Sequence, residues 1–267
     1  MSPIKSPDDH SMWAGVRNRV DEQMDAPDLD PIAHRAALKG LRRLNTISGV
    51  SLVLFPQLLH FARQQPNRPL KILDVASGSA DLPIAWIKRA RRRGLEFQIT
   101  ALDRSETALK AAAESASASG ITLGTVKRDC LNDGLPTGFD VVTCNLFMHH
   151  LTDDQVVSLI HEMWRVSQRH LLICDLERSR FNAALVGLAS RLVTRSPIVH
   201  FDAIASVRGA YTRHEFAALI HRALGFSIPV RRSLPCRFVA TLEQSCEVIR
   251  QPGWVPHLKP VIAGAAS

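Results

Sequence analysis

"LKILDVASGSADLP", residues 70–83, decides the fold of this 267-residue chain. Its first half, Leu70 to Ala76, is a short apolar run of the kind that forms a strand buried on both faces of a parallel sheet. Asp74 stands near the end of that run, and a loop of small residues, Ala76 to Ala80, follows it. The loop leads into an apolar and basic segment, about 82–93, that reads as a helix ended by Gly94. Strand, small-residue loop and helix in this order make a βα unit whose loop N–H groups can face a ligand.

The same rhythm repeats along the chain. Strands are expected at 96–103, 121–129, 138–147 and 169–177, with helices over 105–119 and 153–167. Ser105 is placed to cap the first of these helices and Gly120 to stop it. Five alternations point to an α/β fold, a doubly wound sheet with helices on both faces. Two closely spaced runs, 226–234 and 236–244, add an antiparallel edge pair, so the sheet is expected to be seven-stranded and mostly parallel. Between them and the fifth strand the rhythm breaks. Residues 181–195 and 212–225 read as amphipathic helices, the second capped by Thr212. The organisation expected is an N-terminal helical extension or lid over 1–66 and a main domain over 67–245. Within that domain 178–210 would cover the substrate, and a tail of 246–267 would end the chain. In the extension, Asp30 and Pro31 start a helix running to about Leu44. The apolar stretch 47–65, interrupted by Pro56, is either a helix pair packed on the sheet or part of a lid.

The formal charge of +8 favours acidic partners, although runs such as 88–93 also suit solvated helix ends. Five scattered cysteines without a CxxC pair argue against a disulfide framework or structural zinc and fit a cytoplasmic protein. No uninterrupted apolar run is expected to cross a bilayer, while a peripheral membrane contact stays compatible with the composition. Aromatic residues are 6% of the chain and are not interleaved with basic ones, so no stacking platform for nucleic acid is expected.

Asp74, Asp103 and Asp129 all lie at or just past strand ends, where open parallel sheets bind ligands. A dinucleotide loop would need G-x-G-x-x-G, whereas Gly78 is followed by S-A-D-L-P. Asp81 would oppose a diphosphate and Pro83 removes a donor from the helix start, so NAD and FAD are disfavoured. No Gly-Lys-Ser/Thr follows, which excludes a P-loop. A cationic ligand suits the acids better. S-adenosylmethionine offers an ammonium and a sulfonium near Asp74, two ribose hydroxyls for Asp103, and an adenine amine for Asp129 beside the backbone of Cys130.

These motifs carry a family resemblance. "LDVASGSADLP", "ALDRSETAL", "RDCLNDGLP" and "FDVVTCNLFMHHLTDDQ" resemble the four successive motifs of class I S-adenosylmethionine-dependent methyltransferases. The first is closest to the quinone-biosynthesis C-methyltransferases and the type 11/12-like small-molecule group. The segment 24–45 resembles methyltransferases of polyketide or lipid-phenol pathways. The resemblance covers about 70–175 and, by topology, reaches about 244. It implies a Rossmann-like methyltransferase fold, S-adenosyl-L-methionine as cofactor, and a cofactor set of Asp74, Ala76, Gly78, Asp81, Asp103, Arg104, Asp129, Cys130 and Asn145. Ala76 and Ala80 replace the family's first and last glycines, a change tolerated if φ stays negative there.

His149 and His150 follow the fourth strand at the crevice mouth, and His150 matches the family's common histidine. Either could act as a base on a phenol or enol, or simply pack under the loop. Metal binding by the pair is not expected, because adjacent side chains diverge and no carboxylate spacing supports them. The acceptor expected is small and hydrophobic, such as a phenol, quinol or polyketide-like compound. An RNA or protein methyltransferase and a non-catalytic binding module remain the alternatives.

Overall fold

The structure, a computed structural model, describes residues 17–20, 22–23, 30, 36–37, 40 and 43–244. The tail 246–267 and most of the helix expected between Asp30 and Leu44 lie outside the described residues. Seven strands form one sheet in the order β3-β2-β1-β4-β5-β7-β6. They are β1 (Leu70–Val75), β2 (Phe97–Asp103), β3 (Gly124–Lys127), β4 (Phe139–Asn145), β5 (Ser167–Leu176), β6 (Val230–Ser233) and β7 (Arg237–Glu243). The first five are parallel, and β7 runs antiparallel to both β5 and β6. This is the doubly wound sheet with the antiparallel edge pair that the alternation implies.

Consecutive strand residues point to opposite faces, and the two cores divide on that rule. Ile72, Ile99, Val141 and Leu172 face α1 (Val50–Val53), α2 (Phe55–Arg63) and α3 (Asp81–Arg91). Leu73, Leu102, Val142 and Leu171 face α5 (Asp153–Val166) and α8 (Arg213–Leu224). Burying such a side chain contributes about 1.5–3 kcal/mol. Both faces are covered, so these strands read as continuous apolar runs. A smaller cluster joins Ala80 and Ala101 to Leu109 and Ala112 of α4 (Glu106–Ser117).

Helix starts follow local chemistry. The Ser105 Oγ accepts from the Ala108 N–H, and Thr152 with Gln155 and Thr212 with Glu215 form reciprocal capping boxes. Pro56 sits in the first turn of α2 and divides the 47–65 stretch into α1 and α2. Arg43–Arg63 is, by length and composition, apolar enough to cross a membrane, although it is not an uninterrupted apolar run. Within it, Phe55, Leu58, Phe61 and Ala62 are buried in the core of one sheet face.

Some boundaries differ from expectation. β3 begins at Gly124, not 121, because the Ile121 N–H bonds the Ala116 carbonyl at the end of α4 and not the sheet ladder. β6 is likewise shorter than 226–234. The 178–210 region holds two helices, α6 (Arg180–Val193) and α7 (Pro197–Gly209). The second was missed although Ser196 and Pro197 form a standard start signal, the Ser196 Oγ accepting from the Val199 N–H.

His170 of β5 is buried against Phe61, the rings stacked 3.5 Å apart, and neither of its nitrogens has a partner among the described residues. Burial pushes its pKa down to about 4. A histidine that stays neutral when folded favours folding less as pH falls below its unfolded value near 6.5. His170→Phe keeps the stacked packing and removes two unsatisfied polar atoms, so it should stabilise the protein by about 1 kcal/mol or more. Urea denaturation should also show less loss of stability between pH 7 and 5 in the variant; an equal loss would refute the account.

Candidate functional site

Strand order reverses beside β1, with β2 and β3 on one side and β4 and β5 on the other. The crevice at the carboxyl ends of β1 and β4 is therefore the place where this sheet can take a ligand. Asp74 lies at its floor, 3% exposed and in register with Thr143 of β4. One carboxylate oxygen accepts from the Ser77 Oγ at 2.6 Å. The other accepts from the Thr143 Oγ1 at 2.6 Å and the Asn145 Nδ2 at 3.1 Å. Burial outweighs these three bonds and raises the Asp74 pKa to about 6.

The loop above is a chain of tight turns. The Ser77 N–H donates to the Leu102 carbonyl, and the Ala80 N–H donates back to the Ser77 carbonyl. Ala76, Gly78 and Ala80 all have positive φ, at 55°, 55° and 54°. The condition of negative φ is thus not met at the two alanines, and each carries left-handed strain of roughly 1–2 kcal/mol. Ala80 recovers part of it, because its methyl is fully buried in the cluster with Ala101 and Leu109. Ala76 is only half-buried and has no such return. A Cβ built on Gly78 would meet nothing within 4 Å, so the middle of the loop opens onto free space.

Asp103 ends β2 and fastens the loop: its Oδ2 accepts from the Gly78 N–H at 2.7 Å and its Oδ1 from the Ser105 N–H at 2.8 Å. Asp74, Gly78, Asp103 and Asn145 are thereby gathered at one crevice through β1, β2, β4 and the loop. Asp81 lies in the first turn of α3, where an acid complements the helix dipole, and accepts from the Ser79 Oγ at 3.2 Å. Asp129 stands in the turn after β3. The Leu131 N–H and the Asn132 Nδ2 bond its two oxygens and hold its carboxyl below the ordinary range. Cys130 is buried, which pushes its thiol up to about 12. Arg104 is exposed beside Asp103. The structure shows no bond joining Arg104, Asp129 or Cys130 to the Asp74 group.

After β4 the chain turns sharply through Leu146, another non-glycine residue at positive φ (53°), into the single 3-10 turn Met148–His150. His149 is buried; its Nδ1 lies 2.6 Å from the Asp175 Oδ1, and its N–H donates to the Asp175 Oδ2 at 3.1 Å. Burial opposes protonation of His149, but the Asp175 charge and hydrogen bond outweigh it and raise its pKa. His150 is pushed the other way, to about 3, by burial and then by the neighbouring His149. The two rings do not diverge, as adjacency suggested, but lie 4.1 Å apart. The N-terminal segment reaches the same turn. Arg17 donates to the carbonyls of His149 and Leu151, Arg19 donates to that of His150, and the Glu22 Oε1 stands 3.9 Å from the Nε2 of each histidine.

Five contributors escaped the sequence: Ser77, Thr143, Asp175, Arg17 and Glu22. Asp175 was within reach, since it lies near the carboxyl end of β5 as Asp74 does in β1. Glu22 and Arg17 gave no local signal, because their partners are more than a hundred residues away.

Comparisons with known proteins agree with this architecture. Residues 72–170 match the model of a family described as a methyltransferase domain. The ubiquinone/menaquinone biosynthesis C-methyltransferase UbiE of Rickettsia felis is 46% identical over 56 residues, which are 21% of this chain and 23% of that enzyme. The chain thus matches less than a quarter of the length of this curated relative. The plantazolicin methyltransferase BpumL, solved with a desmethylPZN analog and SAH, superposes with a TM-score of 0.53 at 18% identity, covering 72% of this chain and 69% of that one. The S-adenosylmethionine-dependent methyltransferase SibL gives 0.54 at 17% identity, over 79% and 59% of the two chains. At these identities the two solved structures speak for the shared fold.

The two alanines of the loop should respond differently to glycine. Ala76→Gly relieves left-handed strain at a half-buried position and should stabilise the fold by about 0.5–1 kcal/mol. Ala80→Gly relieves the same strain but gives up a buried methyl worth about 0.8 kcal/mol, leaving stability nearly unchanged. Paired denaturation curves decide the matter, and a destabilised Ala76→Gly would contradict it.

Proposed function

We propose that this chain, residues 72–170 of which match a methyltransferase domain, is a class I methyltransferase that binds S-adenosyl-L-methionine and methylates a small hydrophobic acceptor at oxygen or carbon. A phenol, quinol or polyketide-like compound fits the reading. The observation that carries it is the Asn145 Oδ1, a buried acceptor at the crevice with no protein donor among the described residues. A ligand ammonium would satisfy it, with the Asp74 carboxylate behind the same amide. Gly78 leaves open space where a ligand must approach backbone most closely. Each Asp103 oxygen has one protein donor and keeps a lone pair for a ribose hydroxyl. Bound there, the cofactor supplies a methyl group on a sulfonium, an already activated donor.

The protein's part is then alignment and the handling of one proton. Asp175 holds the His149 ring by its Nδ1 and so positions the turn. His150, half-buried beside it, is the candidate base through its Nδ1, since its Nε2 faces Glu22. A hydrophobic acceptor is supported by Phe181, Leu185, Leu188 and Leu192, which form one exposed stripe along α6. Exposed Arg180 and Arg191 on that helix would also suit a peripheral membrane contact. A cytoplasmic setting is supported by the free thiols of Cys130, Cys144, Cys174 and Cys236.

Calorimetry with S-adenosylmethionine and S-adenosylhomocysteine tests the cofactor; binding by neither would sink the proposal. Asp103→Ala should abolish binding, whereas His150→Ala should spare it and lower turnover of labelled methyl. Binding should also depend on pH. Asp74 titrates near 6 in the free protein, and a cationic ligand favours its carboxylate. Affinity should therefore weaken as pH falls below about 6, with proton release on binding. Titrations at pH 5.5 and 7.5 in two buffers read this directly, and Asp74→Asn should remove the dependence.

A further inference from the structure

We infer that the Nε2 atoms of His149 and His150, together with the Glu22 carboxylate, form a binding site for a divalent transition-metal ion of the zinc class. The site is distinct from the cofactor loop and does not rest on the methyl-transfer reading. The Glu22 Oε1 is 3.9 Å from the Nε2 of His149 and 3.9 Å from that of His150, and all three donor atoms lie within 4.8 Å of one another. Ligand atoms bound to zinc at 2.0–2.1 Å stand roughly 3.3 Å apart, so each Glu22–histidine separation needs to close by about half an ångström. Two imidazoles and one carboxylate are the donor set that borderline divalent ions prefer, and three protein ligands leave a fourth position open.

The surroundings are those of a metal-binding histidine. Asp175 takes the Nδ1 of His149 at 2.6 Å, which fixes the ring and directs the Nε2 toward Glu22. The Glu22 carboxylate is itself held, accepting from the Ser206 Oγ on α7. Its side chain is 9% exposed, that of His149 is 6% and that of His150 is 31%, so two of the three donors are shielded from competing water. Arg17 and Arg19 donate to the carbonyls of the turn, and Arg17 donates also to the Gly209 carbonyl, so the backbone holds their guanidinium groups. An ion here would tie the N-terminal segment to the turn after β4, joining parts of the chain more than a hundred residues apart.

The test uses the full chain stripped of metal with a chelator and titrated with cobalt(II). One equivalent should bind, with visible d–d absorption of a low-symmetry site, and zinc(II) should displace it. Glu22→Gln and His150→Ala should each weaken binding by at least tenfold. Asp175→Asn, which leaves all three ligands in place, should weaken it by about tenfold to a hundredfold. Far-UV circular dichroism checks that each variant is folded, and Glu22→Gln, nearly isosteric, keeps the test open should His150→Ala unfold. Failure of the wild type to take up one equivalent, or uptake unchanged in Glu22→Gln, would overturn the site and leave an ordinary acid–histidine contact.

Discussion

The buried carboxylate of Asp74 is the constraint on which the crevice depends. Water is excluded from it, so its charge is held by three donors drawn from the loop and from β4. Those bonds dictate where Ser77 turns and keep Thr143 and Asn145 aligned across the β1–β4 boundary. Removing any donor would leave a buried acid less satisfied, at a cost of about 1–3 kcal/mol. Asp103 repeats the arrangement one strand over, holding the loop by the Gly78 N–H. The two acids together give the loop a fixed shape before any ligand arrives.

Strain gathers around the same crevice. Ala76, Ala80 and Leu146 adopt left-handed backbone conformations that non-glycine residues avoid. Each turns the chain at the carboxyl end of a strand or at the start of the helix that follows. The surrounding ladders and cores over-determine these turns, which is how strained residues persist in a folded protein. The Leu146 turn delivers the two histidines to the crevice mouth, where Asp175 secures one and leaves the other half-buried.

Much of the fold could be read from the chain because its signals are local. The five strand–helix alternations, the Ser105 and Thr212 caps and the break at Pro56 depend on residues within a turn of one another. Where local signals compete, the boundaries moved: Ile121 pairs with the end of α4, and β3 starts later. The acids at strand ends were legible for the same reason, and Asp175 would have been with the same rule. Charge and hydrogen-bond state were not legible. His149 and His150 are neighbours in sequence, yet one is drawn toward its charged form by Asp175 and the other is held neutral by burial and by its neighbour.

The sequence by itself determined the order of elements, the two-sided burial of the sheet, the placing of Asp74 and Asp103 at strand ends and that of Gly78 in the loop after the first strand. Periodicity, caps and small-residue loops act over a few residues and need no distant partner. Only the tertiary structure decided that Ala76 and Ala80 sit at positive φ, that Asp74 is sealed by Thr143 and Asn145, and that Arg17, Arg19 and Glu22 close on the histidine turn. Those outcomes depend on burial and on contacts between residues far apart in the chain. Desolvation and long-range pairing are set by the packed whole, and no stretch of sequence records them.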